Sequence, residues 1–188
     1  MTFVVDGTNG LTFNDATTQS STATNASNIS SGTLGKARLP TGSVLQVVQG
    51  TTTTQTSTTS ATLVDTGLTA TITPLFSTSK ILVLVSQSLA QSNANNTFNS
   101  IGLAIVRNST NVFFSDRALA VRAGVSASGD VISDALIAFN YLDSPSTTSA
   151  TTYKTQFRVF DSANGTARAQ ESLNTTSASS ITLMEISA

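Results

Sequence analysis

The side chains able to do acid, base or nucleophilic chemistry are few, and their spacing limits them. The 188 residues hold no Cys, no His and no Trp, against 9 Lys plus Arg and 10 Asp plus Glu. Carboxylates recur around one apolar run: Asp130 and Asp134 flank Val131, Ile132 and Ser133, and Asp143 follows Leu142. Two carboxylates serve glycoside hydrolysis when one donates a proton and the other attacks or activates water. In a strand Asp130 and Asp134 share a side but stand about 13 Å apart at the usual rise, too far for either geometry. They read as solvated strand ends. Ser77, Thr78, Ser79 and Lys80 alone meet the Ser-x-x-Lys spacing of a serine nucleophile with a lysine base. In so serine-rich a chain this reads as a turn before a strand. No Asp-rich calcium loop is present. Composition removes thiolate zinc sites, disulfides and a histidine base, so neither metal nor cofactor is expected and the chain is read as non-enzymatic.

Arg107, Arg117, Arg122, Arg158 and Arg168 could grip carboxylates bidentately, and with so few charges each is expected in an inter-strand or intersubunit ion pair. A formal net charge of −1 provides no positive field for nucleic acid. No run of about 18 apolar residues is present, so no membrane insertion is expected. The start lacks a basic segment followed by a long apolar one, which predicts a product made and kept in a cytosol rather than secreted. Only 10% of residues are charged, whereas 33 Thr and 28 Ser make up about a third of the chain. Solubility therefore rests on neutral hydroxyls and amides. Such faces repel each other little, which favours identical chains standing side by side.

The elements that must position these groups are strands. Leu68, Ala70 and Ile72 alternate with Thr69, Thr71 and Thr73, the period of a strand with one wet face. From 80 to 91, Ile81, Val83, Val85 and Gln87 share one face and Leu82, Leu84 and Ser86 the other, predicting a central strand apolar on both sides at first. Further β-like runs lie at 100–107, 111–115, 131–142, 151–160 and 179–187, separated by Asn-, Asp-, Ser- and Gly-rich turns. In the fourth of these Phe160 falls on the polar face. One helical turn is expected near 116–120. The final run is expected to be tied down inside a sheet. Eight or so strands without amphipathic helices predict an all-β, jelly-roll-like antiparallel β-sandwich over 43–188.

Residues 1–42 differ in texture. Between Thr17 and Gly35 only Ile29 and Leu34 are large and apolar, too little to offset ordering entropy, so an extended arm of short pieces joined by turns is expected. Two stretches carry a resemblance. Gly10, Phe13, Asp15, Thr17 and Gln19 follow the Gly-x-x-Phe-x-Asp-x-Thr-x-Gln pattern, within residues 6–19, that resembles segments near the start of bacteriophage fibre and appendage proteins. Ile29, Ser30, Ser31, Gly32, Thr33 and Leu34, then Ala37, Arg38, Leu39 and Pro40, resemble a segment recurring in phage tail fibres. Residues 42–48 (Gly-Ser-Val-Leu-Gln-Val-Val) follow directly.

This resemblance implies a virion structural protein, a homotrimer whose N-terminal arm attaches to the particle while C-terminal β-domains form a knob. Its partners would be other phage proteins of capsid or tail, and a host-surface glycan. The arm's attachment residues are taken as Phe3, Val4, Leu11, Phe13, Ile29, Leu34, Arg38 and Leu39. Apolar positions left over from the alternation, Phe98, Phe113, Phe114, Tyr141 and Phe160, are candidates for the threefold seam. Asn95, Asn96, Asn108, Asn111 and Asn164, in polar loops, are candidates for hydrogen bonding a glycan. A head-decoration or cement protein, with its arm on the capsid lattice and three knobs capping a local threefold, suits the same layout. A depolymerase using Asp130, Asp134 and Asp161 is the remaining reading.

Overall fold

The computed structural model describes residues 4–6, 10–12, 18–19, 35–93, 98–122, 131–172 and 175–188. The chain divides into two units, Met1–Arg38 and Leu39–Ala188. In the first, β1 (Val4–Asp6), β2 (Gly10–Thr12) and β3 (Thr18–Gln19) form a small antiparallel sheet in that order, and one turn of 3-10 helix spans Lys36–Arg38.

The second unit is a sandwich of antiparallel strands. These are β4 (Val44–Thr52), β5 (Thr56–Thr58), β6 (Val64–Ile72), β7 (Lys80–Asn93), β8 (Phe98–Arg107) and β9 (Thr110–Arg122), then β10 (Val131–Asp143), β11 (Thr151–Val159), β12 (Gly165–Ala169) and β15 (Ser179–Ile186). A hairpin of β13 (Glu171–Ser172) and β14 (Thr175–Thr176) lies between the last two. The long central strand β7 pairs with β10 on one side. On its other side β15 and β12 lie end to end, pairing with Ser86–Lys80 and Asn93–Leu89. They are one strand interrupted by the hairpin, and β4 and β5, which pair with them, are likewise one interrupted strand. Counted this way, the first sheet has chain order 1-8-3-6 and the second, β6-β11-β8-β9, has order 2-7-4-5. Eight antiparallel strands so arranged are a jelly roll.

Alternation places the core as expected. Leu68, Ala70 and Ile72 of β6, Ile81, Val83 and Val85 of β7, and Ile181 and Leu183 of β15 form one buried apolar cluster with Ile105 and Tyr153. Leu89, Ile101, Leu103, Phe157, Val159, Ala167 and Ala169 form a second. A belt of buried polar groups separates them, one residue from each contributing strand. The Thr155 hydroxyl donates to Gln87 Oε1 (2.8 Å) and exchanges a bond with Thr66, while Gln87 Nε2 donates to Ser179 Oγ (3.0 Å). Thus hydroxyls and an amide stitch one sheet to the other where the core is not apolar, each satisfied, as burial requires. Where β4 meets β6, Gly50 lies so close that a Cβ would sit 2.0 Å from the Thr69 carbonyl oxygen. Only glycine closes the sandwich there.

Three elements differ from the sequence expectation. The helical turn near 116–120 is strand: β9 runs through it with a register shift opposite Ile101 and Leu103, so a bulge, not a helix, breaks the alternation. β12, whose Gly, Ala and Thr carry no apolar period, is a strand between the 151–160 and 179–187 runs where the sequence reading places none. Asn111, expected in a polar loop, is in strand: Asn108 and Ser109 alone form a two-residue hairpin turn, and Thr110 and Asn111 already belong to β9.

Candidate functional site

The turn at 160–164 joins β11 to β12 and is built around two polar side chains. Asn99, buried at the start of β8, accepts the backbone N–H groups of Ser100 (2.8 Å) and Asp161 (3.0 Å) and donates to the Asp161 carbonyl (2.9 Å). Asp161 accepts from the Ala163 N–H (2.9 Å) and the Asn164 amide (2.8 Å). These donors hold its carboxyl below the usual carboxylate range. Gly165 is obligatory, because a Cβ there would come within 2.0 Å of Asn99 Nδ2. Around this scaffold lies a cleft of about 200 Å³ lined by Thr59, Ser92, Ser162, Asn164 and Thr166. Its lining is neutral, offering hydroxyl and amide hydrogen bonds and no general acid or base.

The residues just before Asn99 and Asp161 carry an outward aromatic pair. Phe98 and Phe160 meet edge to face, centroids 6.1 Å apart, and the Arg117 guanidinium lies 4.9 and 5.5 Å from their centroids. Arginine over aromatic rings is a cation–π arrangement. Phe160 is off-pattern and exposed, as its place on the polar face predicts.

Of the seam aromatics, Phe98, Phe114 and Phe160 are therefore on the outside of the second sheet, where Arg158 covers Phe114. Phe113 and Tyr141 instead pack on the apolar core of their own chain, with ring centroids 5.9 Å apart. The glycan asparagines are not brought together. Asn108 (φ 53°) forms the turn at the far end of β8 and accepts the Thr152 N–H (3.0 Å), with Asn111 exposed beside it. The full length of β8, roughly 30 Å at strand rise, separates them from Asn164. Asn95, Asn96, Phe3, Phe13, Ile29, Leu34 and Asp130 lie outside the described residues. Val4 is on β1, Leu11 on β2, Arg38 closes the 3-10 turn and Leu39 is half-buried at the start of the second unit.

The remaining ionisable groups serve the fold. Arg107 donates to both oxygens of Asp143 (2.9 and 2.7 Å), and the Tyr153 hydroxyl donates to the same carboxylate (2.7 Å). Burial and this carboxylate push the Tyr153 phenol far above its ordinary range. Asp143, expected as a solvated strand end, is buried because it bridges β10 of one sheet to β8 and β11 of the other. Asp134 accepts from Ser172 Oγ (2.6 Å). Glu185 accepts from Gln46 (2.6 Å) and from the Leu75 (2.8 Å) and Phe76 (3.3 Å) N–H groups, tying down the turn between β6 and β7. Burial pulls its carboxyl upward, but these donors and the neighbouring Ser79 hydroxyl outweigh it and hold the pKa low. Lys80, formally spaced as a base for Ser77, is exposed at the start of β7 after a turn. Arg158 and Arg168 pair with Asp116 and Glu171. The signal that these pairs form was only the scarcity of charge; which partner each takes required the fold. Among the described residues no group of three acidic, His or Cys side chains could hold a metal ion, and no helix is long and apolar enough to cross a membrane.

No family model matches the chain, and no curated protein matches its sequence. Solved structures with a similar backbone layout include two strains of infectious bursal disease virus. The Gt strain structure is 14% identical with a TM-score of 0.37, the match covering 76% of this chain and 38% of that one. The Gx strain structure is 15% identical with a TM-score of 0.38, covering 78% and 39%. The VP2 subviral particle of the same virus is 14% identical with a TM-score of 0.35, covering 76% and 38%. The chain thus spans under two-fifths of each of these chains.

Proposed function

We propose that this chain is a non-catalytic structural protein of a bacteriophage particle, a homotrimeric appendage knob of tail-fibre type. The Met1–Arg38 unit attaches to another virion protein, and the neutral cleft at 160–166 meets a host-surface glycan. What carries this reading is a conjunction: two fibre-like segments, at residues 6–19 and 29–40, stand ahead of a jelly roll whose described carboxylates are engaged in its own turns and ion pairs. A neutral cleft lined by hydroxyls and an amide suits an uncharged polyhydroxylated ligand, which exchanges hydrogen bonds without the desolvation cost of an ion.

A capsid cement is the second reading, because a jelly roll whose described carboxylates are engaged in its own turns and ion pairs suits a protein held in a shell as well as one at the tip of a fibre. Phage carrying Asn164→Ala with Thr166→Ala distinguishes them. Slower adsorption to host cells with unchanged particle stability is the expected result. Normal adsorption from heads that burst sooner on heating would assign the chain to the capsid instead. Gold labelling of the particle, read by electron microscopy, gives the position independently.

A further inference from the structure

The outward residues of the first sheet are unlike those of any other surface of the head. Cross-strand register aligns Val47 of β4, Met184 of β15, Leu82 of β7 and Leu142 of β10 in a single row across all four strands. Val44 and Ile186 lie beside this row on one side. The next row on the other side is Gln49, Thr182, Leu84 and Asn140, and the one after it Thr51, Ser180, Ser86 and Ala138. Of the apolar members, Val44, Val47 and Leu142 are each about half exposed, at 49%, 54% and 48%, and Leu136 farther along β10 is 65% exposed. No residue of these three rows is charged; Lys80 stands at the border. The other half of the same face is already covered. Ser88 and Ala90 point outward there yet are buried, because the β13–β14 hairpin folds over them, Ser88 donating to the Glu171 carbonyl (2.9 Å) and Ser172 to Asp134.

We propose that this bare half-face is the seam on which neighbouring copies of the same chain pack, the Val47, Met184, Leu82 and Leu142 row turned toward the threefold axis. The inference rests on the trimeric reading above and names its interface. Three observations select a second copy as occupant. A face whose three rows carry no charge offers nothing to steer or hold an ionic partner, whereas identical neutral faces meet without like-charge repulsion. The footprint of its three uncharged rows, four strands at about 4.8 Å by five residues at about 3.4 Å, is roughly 330 Å². Six of its twelve residues are apolar, among them the half-exposed Val47 and Leu142, and contiguous exposed apolar area marks an interaction surface. Finally, β10 is a 13-residue edge strand that among the described residues pairs with β7 alone, and along the bare half-face its outward residues Ala138, Asn140 and Leu142 include no charge and no Pro. Solitary proteins guard such an edge, whereas an assembly covers it.

The test uses the full chain, in which the lack of native Cys makes a single introduced one unambiguous. Light scattering of the wild type should return a three-subunit mass. Val47→Lys with Leu142→Lys should cut that mass threefold while the far-ultraviolet circular dichroism of the sheets is kept. Met184→Cys should give covalently linked copies with a short bis-maleimide, and Thr71→Cys on the second sheet should not. A wild-type trimer that survives both lysines and leaves Met184→Cys unlinked overturns the seam but not the trimer. A wild type that is monomeric at tens of micromolar overturns both. Should the lysine variant fail to fold, the cysteine pair still decides.

Discussion

The two sheets bury equivalent inner faces but turn opposite kinds of surface outward. The second sheet wears charge: Lys154 pairs with Asp65 (2.8 Å), which Gln156 also contacts (2.7 Å), and Arg158 pairs with Asp116 beside Phe114. Beneath these long side chains Gly102, Ala104 and Val106 of β8 are buried although they point outward. A Cβ on Gly102 would meet the Phe114 ring at 3.1 Å, so the small residues of β8 exist to let that cover lie flat. Among the described residues of the head the first sheet has no such cover outside the hairpin, and its outward Leu, Val and Met residues are left for something else. The contrast teaches that an outward apolar residue has two fates in one fold: shielded by the amphipathic stems of neighbouring charges, or presented.

The largest change should come from the bridge that keeps the two sheets back to back. Asp143→Ala leaves Arg107 and the Tyr153 hydroxyl without their shared carboxylate, and about 3–5 kcal/mol of stability should vanish. Chemical denaturation measures it; a loss under 1 kcal/mol would mean the bridge does not hold the sheets. Glu185→Gln comes next. It removes a charge accepting three donors near the root of the apolar row and should cost about 1.5–3 kcal/mol at neutral pH.

The same group gives the acid response its sign. Glu185, Asp65 and Asp161 have folded pKa values below their ordinary 4.5 and 3.8, so their contribution is complete above those values and is lost as pH falls through the lower folded ones. The melting temperature should therefore be level from pH 7 to 5 and drop below about 4.5. Glu185→Gln should shrink that drop, and an unchanged profile would assign the acid response elsewhere. In the polar belt, Gln87→Leu deprives Thr155 and Ser179 of a partner and should cost about 1–3 kcal/mol without altering subunit mass. The smallest effect sharpens the contrast most directly. Lys154→Ala on the charged face should change stability by no more than about 1 kcal/mol, less at high salt. Because that face is wetted, the mass in solution should not move, and a change in assembly with this variant would exchange the roles of the two faces.

Much of the fold can be read without coordinates. The alternation in 68–73 and 151–160 and the doubly apolar 80–91 run predict strands that the structure contains as β6, β11 and the central β7. Less can be read where residues are small or polar. β12, made of Gly, Thr, Ala and Arg, has no period to detect, and the bulge of β9 imitates a helical turn because both break a two-residue repeat. The candidate site was half legible: the Asn164 turn could be found from its composition. That Asn108 belongs to the other end of the sandwich could not, because a turn residue looks the same wherever its turn lies.

The amino-acid sequence alone determined that this is an all-β chain with a polar N-terminal segment, few charges and no thiol or imidazole chemistry, since composition and alternation are local properties. Only the tertiary structure decided that Leu82, Leu142, Met184 and Val47 share one outward row while Phe113 and Tyr141 turn inward. Strand alternation assigns each side chain to one of two faces. Which face meets the partner sheet, and which strands stand beside it, depends on pairings between residues far apart in the chain, and no local pattern carries that information.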